Sequence, residues 1–147
     1  MRISIITPTT DSSVYLNEAL ESVPSADGVS IEHIIVHDGG EAFVEILNKR
    51  FPDVRVLRGE NEGAAAAVNL GINAASGDFL LVLSSDDRLC PDAIKKLSAR
   101  AAERPEIQIW SGGAIFFKCN SAGIESISRT LSSRRATQLS MRNILDI

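Results

Sequence analysis

Two adjacent carboxylates, Asp86 and Asp87, follow the apolar run Phe79-Leu80-Leu81-Val82-Leu83 and the hydroxyl pair Ser84-Ser85. An apolar run of that length between turn signals reads as a strand buried on both faces. Acids just past the carboxyl end of such a strand stand where open α/β sheets bind their ligands. Mg²⁺ and Mn²⁺ are hard cations that prefer carboxylate oxygens, so the pair suits metal chemistry. The same two residues also suit a plain turn, or caps on the helix that follows.

Two earlier strand ends are rich in oxygen and glycine. Ile3-Ser4-Ile5-Ile6 leads into Thr7-Pro8-Thr9, and residues 31–36 lead into His37-Asp38-Gly39-Gly40. In a parallel sheet these ends and the Asp86-Asp87 pair share one edge. Gly63, which opens a helix, joins the same edge, and a helix N-terminus attracts phosphate. Oxygen acceptors, backbone N–H groups and a pair of acids are what a nucleoside diphosphate and its counter-cation require.

The elements that position these groups alternate along the chain. Strands are expected at residues 3–7, 31–36, 54–57, 79–83 and 107–110, the first halted by Pro8. Leu16, Ala19, Leu20 and Val23 recur at helical spacing. Further helices are expected at 41–51, stopped by Pro52, at 64–75, and after Pro91. Alanines 64–67 favour helix and allow close packing on a sheet. Residues 114–119 and 124–128 read as a hairpin around Asn120-Ser121-Ala122-Gly123, and the tail from about Ala136 has helical character. Alternating strands and helices predict an α/β, doubly wound, mostly parallel sheet with a C-terminal β-hairpin and a short helix.

Composition narrows the function. The 147 residues carry a net charge of −4, which does not favour nucleic acid or an anionic membrane as partner. The sequence has no apolar run long enough to span a bilayer. Cys90 and Cys119 make no disulfide framework and match no zinc spacing, as expected of reduced cysteines in a cytoplasmic protein. There is no Gly-x-Gly-x-x-Gly after the first strand and no P-loop. A phospho-receiver would need acids where Thr7-Pro8-Thr9 stands. His33 and His37 fall on one strand face, but single histidines near a sheet are commonly packed or hydrogen-bonded. Trp110 reads as core rather than as a sugar-stacking platform.

The chain resembles the family 2 glycosyltransferases, with their GT-A, Rossmann-like fold. The resemblance rests on Ser4-Ile5-Ile6-Thr7-Pro8-Thr9, on residues 16–23 and on Glu32-His33-Ile34-Ile35-Val36-His37-Asp38-Gly39-Gly40. Asn61-Glu62-Gly63, Asn69-Leu70-Gly71, Gly77-Asp78-Phe79 and Leu83-Ser84-Ser85-Asp86-Asp87 complete it. Each motif alone is common, and their order and spacing carry the likeness.

The resemblance implies a metal-dependent, inverting transfer of a sugar from a UDP- or GDP-sugar to a saccharide or lipid-linked acceptor hydroxyl. Thr7, Pro8 and Thr9 would wall the nucleoside, and Asp38, with Gly39, would accept a hydrogen bond from the base. Asn61, Gly63 and Asn69 would border the donor pocket. Ser85 and Asp86 would adjoin the ribose, and Asp87 with Asp86 would hold Mn²⁺ or Mg²⁺.

This sequence departs from the family pattern at Ser84, Val68 and Thr10-Asp11, where an Asp, an Arg and an aromatic wall are usual. No general base stands out within residues 110–147: Glu125 lies in the hairpin and Asp146 is almost terminal. Residues 1–147 are therefore expected to form a single nucleotide-sugar-binding domain, truncated relative to a full-length transferase. The alternative is a non-catalytic nucleotide-sugar-binding or scaffold module. Apolar surface left by a missing C-terminal half would favour a homodimer. The expected location is cytoplasmic, compatible with a peripheral position on the inner membrane face.

Overall fold

The computed structural model describes residues 1–10, 14–110, 112–119 and 125–131. The elements in chain order are β1 (Arg2–Thr9), α1 (Val14–Glu21), β2 (Ser30–His37), α2 (Glu41–Arg50) and β3 (Val54–Arg58). They continue with α3 (Ala64–Ala74), β4 (Phe79–Val82), α4 (Ala93–Glu103), β5 (Ala114–Cys119) and β6 (Glu125–Leu131). The chain divides into two compact units, Met1–Lys95 and Lys96–Ile147. No helix among the described residues is long and apolar enough to cross a membrane.

The first unit is built on a parallel four-stranded sheet in the order β3-β2-β1-β4. The chain steps outward from β1 to β3 and then returns to place β4 on the other side of β1. The strand order therefore reverses between β1 and β4, the point at which open α/β sheets bind ligands.

Strand periodicity decides which face each side chain serves. Ile3 and Ile5 of β1 pack with Ala19 of α1, Leu83 and Ile94. Ile35 of β2 joins Leu16 and Leu20 of α1 and Leu47 of α2 on the same face. Ile34 and Val36 point the other way and meet Ala67 of α3. Ile5, Ile6, Ile34 and Ile35 have no exposed surface at all. Each such isoleucine stabilises the fold by roughly 1.5–3 kcal/mol relative to exposure. Gly71 lets α3 lie close on β1: a Cβ there would stand 2.5 Å from the Ile6 Cγ2 atom.

Three expectations need correction. The β4 strand is not buried on both faces: Leu80 is 49% and Val82 51% exposed, because α3 packs on β1 and β2 and leaves that face of β4 open. Pro8 does not halt β1, which continues to Thr9 with Pro8 paired to Val36 and Thr9 to His37. The carbonyls of Arg2 and Ile6 accept bonds from Asp78 and Leu83, on the β4 side. Those of Met1 and Thr9 accept from Ser30 and Asp38, on the β2 side. Even-numbered residues of β1 thus direct their backbone toward β4. The β4 register ends at Ile6, so the N–H that Pro8 lacks has no ladder partner to lose. Residues 107–110 form no strand. Their β-forming side chains have no neighbouring strand among the described residues, and Ile109 is 45% exposed.

In the second unit β5 and β6 pair antiparallel, with a register shift between Phe116 and Phe117. The hairpin turn and the helical tail expected from the sequence lie outside the described residues.

Candidate functional site

Parallel pairing brings the ends of β1, β2 and β4 to one sheet edge. Backbone and side-chain bonds then fasten the loops together. The Asp38 N–H donates to the Thr9 carbonyl at 3.3 Å, and the Gly59 N–H donates to the His37 carbonyl at 2.8 Å. The Asp38 Oδ1 atom accepts from the Asn61 N–H at 3.2 Å. Three of the expected donor-binding residues, Thr9, Asp38 and Asn61, are therefore linked directly. Asn61 has φ 57°, a left-handed conformation that asparagine tolerates better than most residues.

Asp38 is half-buried, and its second oxygen makes no hydrogen bond among the described residues. Asp86 and Asp87 are exposed in the turn after β4, and their carboxylates make no hydrogen bond or ion pair among the described residues. The Asp87 N–H closes that turn onto the Ser84 carbonyl at 3.1 Å. Ser85 is half-buried beside them.

No group of three or more His, Cys, Asp and Glu residues among those described could hold a metal ion by itself. Two free carboxylates still fit Mg²⁺ or Mn²⁺. Such ions are commonly held by one or two protein carboxylates, with substrate phosphates and water supplying the remaining oxygens.

Gly63, with φ +91°, precedes α3, and no side chain caps that helix. The N–H groups of its first turn are left for solvent or an anion. Asn69 lies exposed on α3 beyond that turn.

Thr7 and Pro8 differ from the rest. Thr7 is fully buried, and its Oγ1 lies 2.9 Å from His33 Nε2. Its side chain is committed to the sheet interior, so Thr7 reaches the edge only through the backbone that it shares with half-buried Pro8. Burial pushes the His33 imidazole down to about pKa 4 and keeps it neutral at pH 7. The metal reading of the two histidines finds no support in this packing.

Gly39 donates its N–H to His37 Nδ1 at 2.8 Å. The His37 ring is fully buried and meets Phe43 edge-on, with centroids 5.2 Å apart. Burial pushes its pKa down, Arg58 adds to that, and Asp38 opposes it. Sequence reasoning placed His37 at this edge without assigning it a task, and it missed Gly59 as part of the site. The only signal for Gly59 was a glycine directly after a strand, and its role shows in space: a Cβ there would collide with the Asp38 carboxylate.

The chain matches the family described as Glycosyl transferase family 2 over residues 4–143. It is 36% identical to an uncharacterized glycosyltransferase of Haemophilus influenzae over 99 residues, or 64% of this chain and 40% of that protein. It is 33% identical to the glycosyltransferase GlyG of Streptococcus pneumoniae over 111 residues, or 69% of this chain and 36% of that one. The chain thus spans well under half the length of these relatives. Among solved structures, residues 1–349 of S. aureus TarS superpose with a TM-score of 0.62 at 27% identity. That match covers 71% of this chain and 33% of the other.

Proposed function

The chain belongs to glycosyl transferase family 2, and we propose that its sheet edge holds the nucleotide-diphospho-sugar donor of a metal-dependent, inverting glycosyl transfer. One observation carries this reading. At the strand-order reversal, Asp86 and Asp87 stand unengaged beside a loop cluster in which Thr9, Asp38 and Asn61 are bonded together.

Each group has a defined task. Asp38, with one oxygen held by Asn61, offers its other oxygen to a ring N–H of the nucleobase. Thr9 and Pro8 border the nucleoside. The free N–H groups after Gly63 face the diphosphate, and the α3 dipole favours the negative charge there. Ser85 and Asp86 adjoin the ribose. Asp86 and Asp87 hold Mn²⁺ or Mg²⁺, which would neutralise the diphosphate and stabilise it as the leaving group. An acceptor hydroxyl then displaces the nucleoside diphosphate at the anomeric carbon in one step, with its proton taken by a carboxylate base. None of the described residues is assigned that role. A UDP- or GDP-sugar donor, a saccharide or lipid-linked acceptor and a cytoplasmic location belong to the same proposal.

Calorimetric titration of UDP and of GDP, with and without Mn²⁺, tests the reading on wild type and Asp87→Ala. Metal-dependent binding that Asp87→Ala removes is the expected outcome. Binding of neither nucleotide by wild type would contradict it. Binding without donor hydrolysis or transfer would favour a nucleotide-sugar-binding module instead.

A further inference from the structure

The tripeptide His37-Asp38-Gly39 joins three segments of the edge, and its centre is an imidazole. The His37 carbonyl accepts from Gly59, the Asp38 N–H donates to Thr9, and the Asp38 carboxylate accepts from Asn61. The remaining N–H of the turn, on Gly39, donates to His37 Nδ1 at 2.8 Å. An accepting Nδ1 carries no hydrogen, so the ring hydrogen of the neutral imidazole is on Nε2. That Nε2 atom is buried and has no hydrogen-bond partner among the described residues.

A buried donor without an acceptor costs stability. An aliphatic side chain against Phe43 would fill the same place without that cost. What an aliphatic residue lacks is the Nδ1 acceptor, and the bond it receives fixes the backbone immediately after Asp38. Asp38 has little room to move otherwise, because Gly59 lies directly against its carboxylate.

We propose that His37 is a positioning residue for the donor: its Nδ1 atom holds the Gly39 turn and thereby sets the Asp38 carboxylate in the geometry that receives the nucleobase. The inference rests on the donor-site reading above and adds to it a residue that touches no substrate. It predicts that the acceptor atom matters, and the ring as such does not. Asparagine can supply that acceptor, because its side-chain oxygen receives the N–H two residues on in an Asx-turn.

The experiment measures nucleotide affinity and thermal midpoint together for wild type, His37→Leu, His37→Ala and His37→Asn, using whichever of UDP or GDP the wild type binds. Loss of the acceptor in the Leu and Ala variants should weaken binding about fivefold, the scale of one hydrogen bond. His37→Asn should restore affinity to within about twofold of wild type. Affinities should sort by the presence of the acceptor, whatever the order of melting; the Ala variant repeats the test should the Leu variant fail to fold. Leu and Ala variants that bind as wild type does would overturn the inference, and so would an Asn variant as weak as Ala. Wild type binding neither nucleotide would instead overturn the donor-site reading, and the inference with it.

Discussion

The two edges of the parallel sheet spend their acids in opposite ways. At the amino edge, the Glu32 carboxylate accepts from Ser4 Oγ at 2.5 Å, from the Ser76 N–H at 2.8 Å and from Ser76 Oγ at 2.9 Å. Arg2 adds a 3.2 Å ion pair. Asp78 likewise accepts from the Arg2 N–H at 2.8 Å, and the Gly77 N–H donates to Ser4 Oγ at 2.9 Å. These bonds tie the end of α3 and the approach to β4 to the starts of β1 and β2. At the carboxyl edge, Asp86 and Asp87 are exposed and their carboxylates make no bond among the described residues. An acid whose lone pairs are all engaged contributes to the fold. An acid left open costs the fold little and is available to a ligand.

That contrast gives each edge its own response to mutation. The largest effect belongs to the open edge: Asp87→Ala should lower metal-dependent nucleotide affinity by about a hundredfold or more, since a metal supplies several kcal/mol of charge stabilisation. Calorimetry reads this directly, and the urea midpoint should stay unchanged.

Next comes Glu32→Gln. Hydrogen bonds to a charged group contribute about 1.5–3 kcal/mol, and much of that should disappear from the unfolding free energy in urea. Its hydrogen bonds hold the Glu32 pKa down, from 4.5 to about 2, with Ser4 the main cause. A depressed carboxylate stabilises the fold above its unfolded pKa and loses that contribution as pH falls. The gap between wild type and Glu32→Gln should therefore close between pH 4.5 and pH 2, while nucleotide affinity at pH 7 stays the same in both.

Comparable in size is the effect of His33. Its ordinary pKa of 6.5 is lowered to about 4 by burial. Between these values the unfolded chain binds a proton that the folded chain refuses, so stability is lost as pH is lowered. A series of wild-type melting points should begin to decline below pH 6.5, before Glu32 is protonated. The smallest effect is at the surface pair Arg50–Glu21, 2.8 Å apart with both side chains more than half exposed. Arg50→Ala should cost under about 1 kcal/mol, and added salt should erase part of the difference.

The sequence made the fold legible where periodicity and strand ends agreed. Leu16, Ala19, Leu20 and Val23 at helical spacing, and the repeated alternation of strand and helix patterns, pointed to helices on a parallel sheet. It was least legible where a local rule met a tertiary circumstance. Pro8 is a breaker by composition, but the position it occupies faces the end of β4, where no bond is due. Ile107-Gln108-Ile109-Trp110 has strand composition and no strand beside it among the described residues. The acids of the open edge could be named from sequence because they follow an apolar run directly. The roles of His37 and Gly59 could not, because one depends on a bond from the Gly39 N–H to the His37 ring and the other on the end of β3 lying against the Asp38 carboxylate. Thr7 sits within a quoted motif, yet its hydroxyl is bound to His33, a pairing that only the register of β1 against β2 creates.

The most direct test of the division between the edges is a crossed measurement. Asp87→Ala and Glu32→Gln are each assayed for urea midpoint and for Mn²⁺-dependent nucleotide affinity under the same conditions. The account predicts opposite losses, affinity without stability for Asp87→Ala and stability without affinity for Glu32→Gln. Equal loss of stability in both variants, or nucleotide affinity untouched by Asp87→Ala, would contradict it.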